Sequence, residues 1–274
     1  MNKNKRIEIK FENEFKKTFL NLKVNKYKNI FITSDLSKIG SFEIPIKRKL
    51  EIIFKSLKQV IGKNYSIFCP GMSLSLMKNT QTFNVKKTFA ENVGRFPNFI
   101  LKQKKSNRNI HPFWSIIGIG KKSNLLKTKT INCFGYSSPW TDLIGLNTLQ
   151  VHLDVEPYKS ISLIHYIETI MGVPYRFNKS FKKNVIIDGK KKNLEFVYPA
   201  RYKNLKNLKD KNKNQIFFRK LKNSKKINFY KNNFNQKCWS FLMKDFFMIA
   251  KNHLKEDNFF LLKKKPNMQF LKKY

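Results

Sequence analysis

Acidic residues are scarce in this chain. Only 17 Asp and Glu stand against 57 Lys and Arg over 274 residues, a formal net charge of +40. A field of that sign repels polycations and attracts anions, so it speaks to partners rather than to fold. Glycine is sparse as well, ten in all. With the abundance of Lys, Asn, Ile and Phe, this is the usage an A+T-rich genome encodes, and the lysines run along the whole length. Polyanion binding and codon drift both remain open as sources of the charge. Zinc-finger spacing, the aromatic–glycine signature of RNA-binding domains and a heptad zipper are all missing, so no specific nucleic-acid partner is expected. The three cysteines, Cys69, Cys133 and Cys238, are odd in number, widely spaced and set among apolar neighbours. That argues against a disulfide framework or a zinc site and predicts reduced, buried thiols in a cytoplasmic protein without a metal. No apolar run reaches the ~18 residues of a membrane span, and no early stretch has the pattern of a signal peptide.

What is present is enough apolar material for a sizeable core, 41% of the chain. Phe11, Phe15, Phe19 and Leu20 suggest an amphipathic helix in the basic first 28 residues. Asn29–Ser34 reads as a buried strand ending in a polar turn, Ser34 to Gly40. Lys47–Ile61 has helical spacing and stops at Gly62; Tyr65–Cys69 is a second buried strand before Pro70-Gly71. Strand, helix, strand predicts a βαβ unit and a parallel sheet. Residues 71–110 are irregular, with one short helix suggested by Phe89, Val93, Phe96, Phe99, Ile100 and Leu101. The second half of His111–Gly120 and Thr148–Asp154 read as strands, with Gly135 and Ser138-Pro139 marking a tight turn between them. Asn184–Ile187, Asp188-Gly189 and Leu194–Tyr198 read as a hairpin whose loop is lengthened by lysines. Lys203–Lys226 reads as an exposed segment, and Trp239, Leu242, Phe246, Ile249, Ala250 and Leu254 as one long C-terminal helix.

The stretch with the most chemistry is Ser160–Arg176. Ser160 or Ser162 can cap a helix, and Gly172 with Pro174 can end it. His165 and Glu168 are spaced i, i+3 and share a face. A carboxylate beside a His fixes the ring tautomer and stabilises the imidazolium, the usual arrangement of a general base. Alone, the pair is as compatible with the wet side of a core helix.

Four segments in order resemble one family, the aminoglycoside 3-N-acetyltransferases. Ile32-Thr33-Ser34-Asp35-Leu36-Ser37-Lys38-Ile39-Gly40 is similar to its V-H-S-S-L-x-x-x-G turn. Arg108-Asn109-Ile110-His111-Pro112-Phe113-Trp114-Ser115 resembles R-S-x-H-P-x-x-S, and Phe134-Gly135-Tyr136-Ser137-Ser138-Pro139 matches F-G-x-x-S-P. Ser162, His165 and Glu168 match T/S-x-x-H-x-x-E on a helix. The sequence departs from the pattern at Thr33 (usually His), at Asp35 (often Ser), at Asn109, and before the second strand, where Asn64-Tyr65 replaces Gly-Thr. The resemblance implies an α/β fold distinct from the GNAT fold, with a mixed, largely parallel central sheet flanked by helices. A single domain over 1–274 is expected, with the motifs in 28–178, a hairpin and a C-terminal helix beyond. It implies acetyl-CoA as co-substrate, His165 as general base and Glu168 as its orienting carboxylate. Ser34, Ser37, Arg108, His111 and Ser115 become candidates for coenzyme contacts, with His111-Pro112 equally readable as a structural turn. Asp35 and Asp142 become candidates for the acceptor side, although Asp35 reads more readily as a turn cap.

The scarcity of carboxylates bears on the acceptor. A site for a polycationic aminoglycoside needs several, and a +40 field slows its encounter. The same field favours CoA and a nucleotide-linked amino sugar. The expected partners are therefore CoA and a small amine acceptor, with a nucleotide-linked amino sugar as one candidate and a homodimer left open. Two other readings stand beside this one: a basic protein that binds nucleic acid or a membrane surface, and a family relative that has lost catalysis.

Overall fold

The structure is a computed structural model that describes residues 3–36, 43–127, 130–203, 205, 210 and 213–270. The chain starts with helix α1 (Lys3–Asn21), then runs through β1 (Asn29–Ser34), α2 (Ile46–Ile61), β2 (Ser66–Met72), β3 (Phe83–Asn84) and α3 (Arg95–Leu101). It continues with β4 (Asn107–Arg108), β5 (Trp114–Gly120), α4 (Pro139–Gly145), β6 (Leu149–Leu153), α5 (Pro157–Ser160) and α6 (Leu163–Ile170). The last part holds β7 (Arg176–Ile187), β8 (Lys190–Arg201), α7 (Asn214–Asn223), β9 (Ile227–Lys231), β10 (Lys237–Leu242) and α8 (Met243–Glu256). Seven strands form a mixed sheet in the order β4-β5-β2-β1-β6-β10-β9. Its centre is parallel, with β1 between β2 and β6, and antiparallel strands complete both sides. A smaller sheet has the order β3-β7-β8.

Strand β1 explains why helices cover both faces of the large sheet. Ile30 and Ile32 join a core with Phe11, Phe15, Leu50, Ile53 and Phe96, from α1, α2 and α3. Phe31 joins the opposite core with Trp140, Ile164, Phe246 and Ala250, from α4, α6 and α8. Side chains alternate faces along a strand, so a strand buried on both sides has to read as a continuous apolar run. Thr33 therefore shares the Phe31 face and Ser34 the Ile32 face.

Four local expectations are corrected. Lysines 190–193 do not lengthen the hairpin loop: Asp188 and Gly189, with φ of 49° and 79°, form the whole connection, and Lys190 to Asn193 pair with Ile187 to Asn184. Two residues with positive φ make the tight turn that suits strand twist. Trp239 and Leu242 belong to β10 rather than to the C-terminal helix, which begins at Met243. Asn214–Asn223 is helical and buries Phe217 and Leu221, inside the stretch expected to be exposed; 204, 206–209 and 211–212 lie outside the described residues. Ser160–Arg176 does not hold one capped helix. Ser160 ends α5, its hydroxyl donating to Glu156 O at 3.1 Å and contacting His152 Nδ1 at 3.1 Å. Ser162 precedes α6 with helical backbone and makes no side-chain cap. Cys69, Cys133 and Cys238 are free and buried, and burial raises all three thiol pKa values, that of Cys238 to about 12. No helix among the described residues is long and apolar enough to cross a membrane, and no metal-ligating cluster occurs among them.

Candidate active site

The C-terminal ends of β1 and β2 open onto a cavity of about 290 Å³, lined by Thr33, Met72, Asn92, Trp114, Lys159 and His165 among others. Ligands in open α/β sheets collect at this edge, because the loops leaving parallel strands diverge there. Helix α6 brings His165 to the wall. Its apolar residues Leu163, Ile164, Tyr166 and Ile167 are buried, which turns the His165–Glu168 face toward β7.

His165 Nδ1 lies 2.9 Å from Glu168 Oε2. The carboxylate is 1% exposed and has two further partners: Arg176 Nη2 donates to Oε2 at 2.5 Å, and the Tyr175 hydroxyl donates to Oε1 at 3.1 Å. Burial works against the Arg176 charge, but the charge and hydrogen bond of Glu168 outweigh it and raise its pKa. Glu168 thus has its counter-charge without needing an imidazolium. Arg176 Nη2 also lies 2.9 Å from His165 Nδ1. Arginine has no acceptor, so Nδ1 either accepts from Arg176 or donates to Glu168; in the tautomer that donates to Glu168 the ring lone pair is on Nε2. Trp114 meets the imidazole edge-on at 5.2 Å and Phe134 at 5.7 Å, fixing the ring plane from two sides. Arg201 stands opposite Arg176 in the β7–β8 register, and burial and Arg176 lower its pKa.

The other expected site residues are placed differently. Arg108 is buried, and its Nε donates to Ser115 Oγ at 2.8 Å. Its two Nη groups donate to Thr88 O, Gly71 O and Ser73 Oγ, while its guanidinium stacks 4.6 Å over Phe83. Burial lowers its pKa to about 9. Ser115 Oγ in turn donates to Gly71 O. His111 is fully buried: Nε2 donates to Val197 O at 3.1 Å and Nδ1 accepts from the Trp114 N–H at 3.3 Å. Burial lowers its pKa to about 3, so it is neutral. In these positions Arg108, His111 and Ser115 tie β2, β4, β5 and β8 together, and none of the three lines the cavity beside His165. Ser34 is buried with its hydroxyl unpartnered among the described residues, and Ser37 lies outside them. Asp35 and Asp142 are exposed, on the turn after β1 and in the first turn of α4; the structure does not bring either to the cavity beside His165.

Several cavity residues carried no sequence signal. Trp114 Nε1 and Asn214 Oδ1 are buried without hydrogen-bond partners among the described residues, and both side chains line the cavity. Asn214 Nδ2 donates to Tyr158 O at 3.0 Å, which identifies its oxygen as the orphan. Of the buried side-chain atoms without a partner among the described residues, these two belong to residues that line the cavity, where a ligand or water could complete them. Arg176 had a signal in hindsight: it follows the Gly172–Pro174 reversal that returns the chain to Glu168.

The family model of aminoglycoside 3-N-acetyltransferase matches residues 31–255. No curated protein matches the chain. Among solved structures, AAC-IIIb in a binary complex with CoASH has a TM-score of 0.75 at 12% identity, covering 93% of this chain and 98% of that one. AAC-VIa bound to sisomicin has a TM-score of 0.72 at 12% identity, with 89% and 97% covered. The YokD protein from Bacillus subtilis has 0.71 at 16% identity, with 90% and 94% covered. At these identities the structural likeness speaks for the fold. Acetyl-CoA as co-substrate fits the matched family.

Proposed function

Because the chain belongs to the aminoglycoside 3-N-acetyltransferase family, we propose that it transfers the acetyl group of acetyl-CoA to the amine of an amino sugar or aminoglycoside-like acceptor. The observation that carries this reading is the 2.9 Å contact between His165 Nδ1 and Glu168 Oε2 at the wall of a cavity. The acceptor nitrogen attacks the thioester carbonyl and gives its proton to His165 Nε2 as the C–N bond forms. Glu168 holds the resulting imidazolium through Nδ1. Collapse of the tetrahedral intermediate breaks the C–S bond, and the departing thiolate takes the proton. A neutral His in hydrogen-bond reach of an amine suits that step, since an ammonium has no lone pair to attack with.

Within this class we favour an amino sugar carried on an anionic group over a polycationic aminoglycoside. Lys159 and His165 line the cavity, and no Asp or Glu does. A polycation would meet a net charge of +40 on approach and no carboxylate on arrival among the described lining residues. Thiol release from acetyl-CoA over an acceptor panel tests both levels. A nucleotide-linked amino sugar should turn over faster than gentamicin-like compounds, and His165→Ala should lower turnover by about 10² to 10⁴-fold. Efficient acetylation of gentamicin-like compounds alone overturns the acceptor. An unchanged His165→Ala rate removes His165 from the mechanism.

A further inference from the structure

The two ends of the large sheet differ in charge. The His165 cavity opens at the C-terminal ends of β1 and β2 and has one lysine, Lys159, in its lining. At the opposite end a second cavity, of about 580 Å³, lies between the start of β2, β4 and the segment after β5. Strand β2 runs from one to the other: Tyr65, just before the strand, lines the second cavity, and Met72 lines the first. At about 3.3 Å per strand residue the two lie roughly 20 Å apart. Lys86, Lys104, Lys105, Lys121 and Lys127 line the second cavity, and no Asp or Glu does. All five are exposed, and none forms an ion pair among the described residues. Lys and Arg are 57 of the 274 residues, but lysine is five of the twelve that line this cavity. The five come from three separate segments that only the fold brings together. Lysines scattered by codon usage have no reason to converge in this way.

Hydrogen bonds fix the backbone beneath these lysines. Gly120 has φ of 107°, and a Cβ there would lie 2.1 Å from Tyr65 O, so only glycine lets the two backbones approach. That approach lets Lys121 N donate to Tyr65 O at 2.8 Å and Lys122 N donate to Ser66 Oγ at 2.9 Å. Ser123 Oγ donates to Gly120 O at 2.8 Å and accepts from Asn107 Nδ2 at 2.9 Å, which ties the segment after β5 to β4. Lys86 Nζ donates to Ser106 O, and Ser106 Oγ donates to Leu101 O at 2.7 Å, so the segment after β3 is held to the turn that carries Lys104 and Lys105. A concave surface of one sign focuses its field and concentrates counter-ions. Walls already in place spare a ligand the cost of ordering loops.

We propose that this cavity is a second binding site, separate from the one beside His165, and that it takes a short chain of phosphates. Five ammonium groups supply point charges for several phosphate oxygens at once. The lining holds one aromatic ring, the half-buried Tyr65, and Ile119 is 8% exposed, so a strand of nucleic acid would find no row of rings on which to stack its bases. An inorganic polyphosphate and the phosphate end of a nucleotide share the required chemistry. The proposal does not depend on the acetyltransferase reading.

Calorimetric titration with tripolyphosphate at physiological salt tests it on the wild type and two triple variants. One carries Lys104→Gln, Lys105→Gln and Lys121→Gln in the cavity; the other carries Lys5→Gln, Lys10→Gln and Lys17→Gln on α1. Both sets change exposed side chains and remove the same charge. The wild type should bind tripolyphosphate at a single site. The cavity variant should bind it about tenfold or more weakly, because three attractions at close range are gone, and the α1 variant within about twofold of wild type. Equal weakening in both variants would mean that the overall field of +40 holds the anion, and overturns the proposal. Wild-type protein that does not bind overturns it as well. So does competitive displacement by CoA, which would make the cavity part of the coenzyme's own site. ATP then separates the two sources. An affinity equal to or below that of tripolyphosphate assigns the site to inorganic phosphate chains, and one about tenfold higher assigns it to a nucleotide; either result supports the site. None of these outcomes bears on His165.

Discussion

Two buried clusters in this protein each pair an arginine with a histidine, and they use them in opposite ways. Around β5, Arg108 meets only carbonyls, hydroxyls and a ring, and His111 meets one carbonyl and one amide. Around α6, Arg176 meets a carboxylate, and His165 shares that carboxylate beside a cavity. In the first cluster burial lowers the pKa of both groups and nothing charged offsets it in direct contact. In the second, Glu168 more than offsets the burial of Arg176. A neutral partner set fixes geometry, whereas an ion pair beside open space can take up and hand on a proton. The difference separates scaffold from site more sharply than the motifs do, since both clusters come from segments that resemble family signatures.

The largest expected effect comes from acid, which reaches His111 of the first cluster and the equally buried His152 of β6. His111 and His152 are neutral and buried, each with a pKa lowered to about 3. The unfolded chain binds these protons near pH 6.5, so it holds more protons than the folded chain between pH 6.5 and 3. Their stabilisation is complete above pH 6.5 and is lost as pH falls toward 3. At ~1.4 kcal/mol per pH unit per group, lowering pH from 7.5 to 4.5 should cost about 5 kcal/mol. Urea unfolding midpoints across that range measure it. A flat profile would mean that these two histidines are hydrated in solution, and a buried, neutral His111 would fail with it.

The second effect is somewhat smaller and falls on the other cluster. Arg176→Met removes the arginine that pairs with the buried Glu168 and should destabilise by about 3–5 kcal/mol. Arg176→Lys retains the charge but loses the fork that reaches both Glu168 and Pro199 O, so it should recover only part of that stability. The lysine variant also reads the site itself. If Arg176 holds Glu168 for His165, kcat should fall and the acid limb of its pH profile should move, with KM for acetyl-CoA unchanged. Loss of stability with an unchanged profile would reduce Arg176 to scaffold, like Arg108.

How much of this was legible follows from distance along the chain. Asn29–Ser34 and the helix from Ile46 were readable because an apolar run and a 3.6-residue period are local signals. His165 and Glu168 were readable for the same reason, as neighbours on one helical face. Arg176 was not. It stands eight residues from Glu168 but beyond the end of α6, past a reversal at Gly172, so no single helical or strand period runs from one to the other. Asn214 comes from a separate helix, and its lysine- and asparagine-rich surroundings masked that helix altogether. Trp239 and Leu242 fit a helical period by coincidence, while Cys238 and Ser240, buried on either side of the half-buried Trp239, carried the strand alternation. At Arg108 and His111 the motif was visible but its role was not, because role there depends on burial, which one sequence does not display.

Trp114 joins the two clusters and gives the smallest, sharpest test. Its backbone N–H donates to His111 Nδ1, whereas its indole meets His165 edge-on. The two links can be cut separately, since a substitution changes the side chain and spares the amide. Trp114→Leu removes a ring contact of the kind worth about 0.5–1.5 kcal/mol. Turnover should therefore fall by no more than about tenfold, through a less well fixed imidazole, while the acid-unfolding profile set by His111 keeps its shape. If the profile shifts as well, the indole and not the amide carries the link to His111, and the clusters act as one unit. A fall well beyond tenfold would mean that the orphaned Nε1 of Trp114 touches the reacting groups directly, making the indole a catalytic donor rather than a wall.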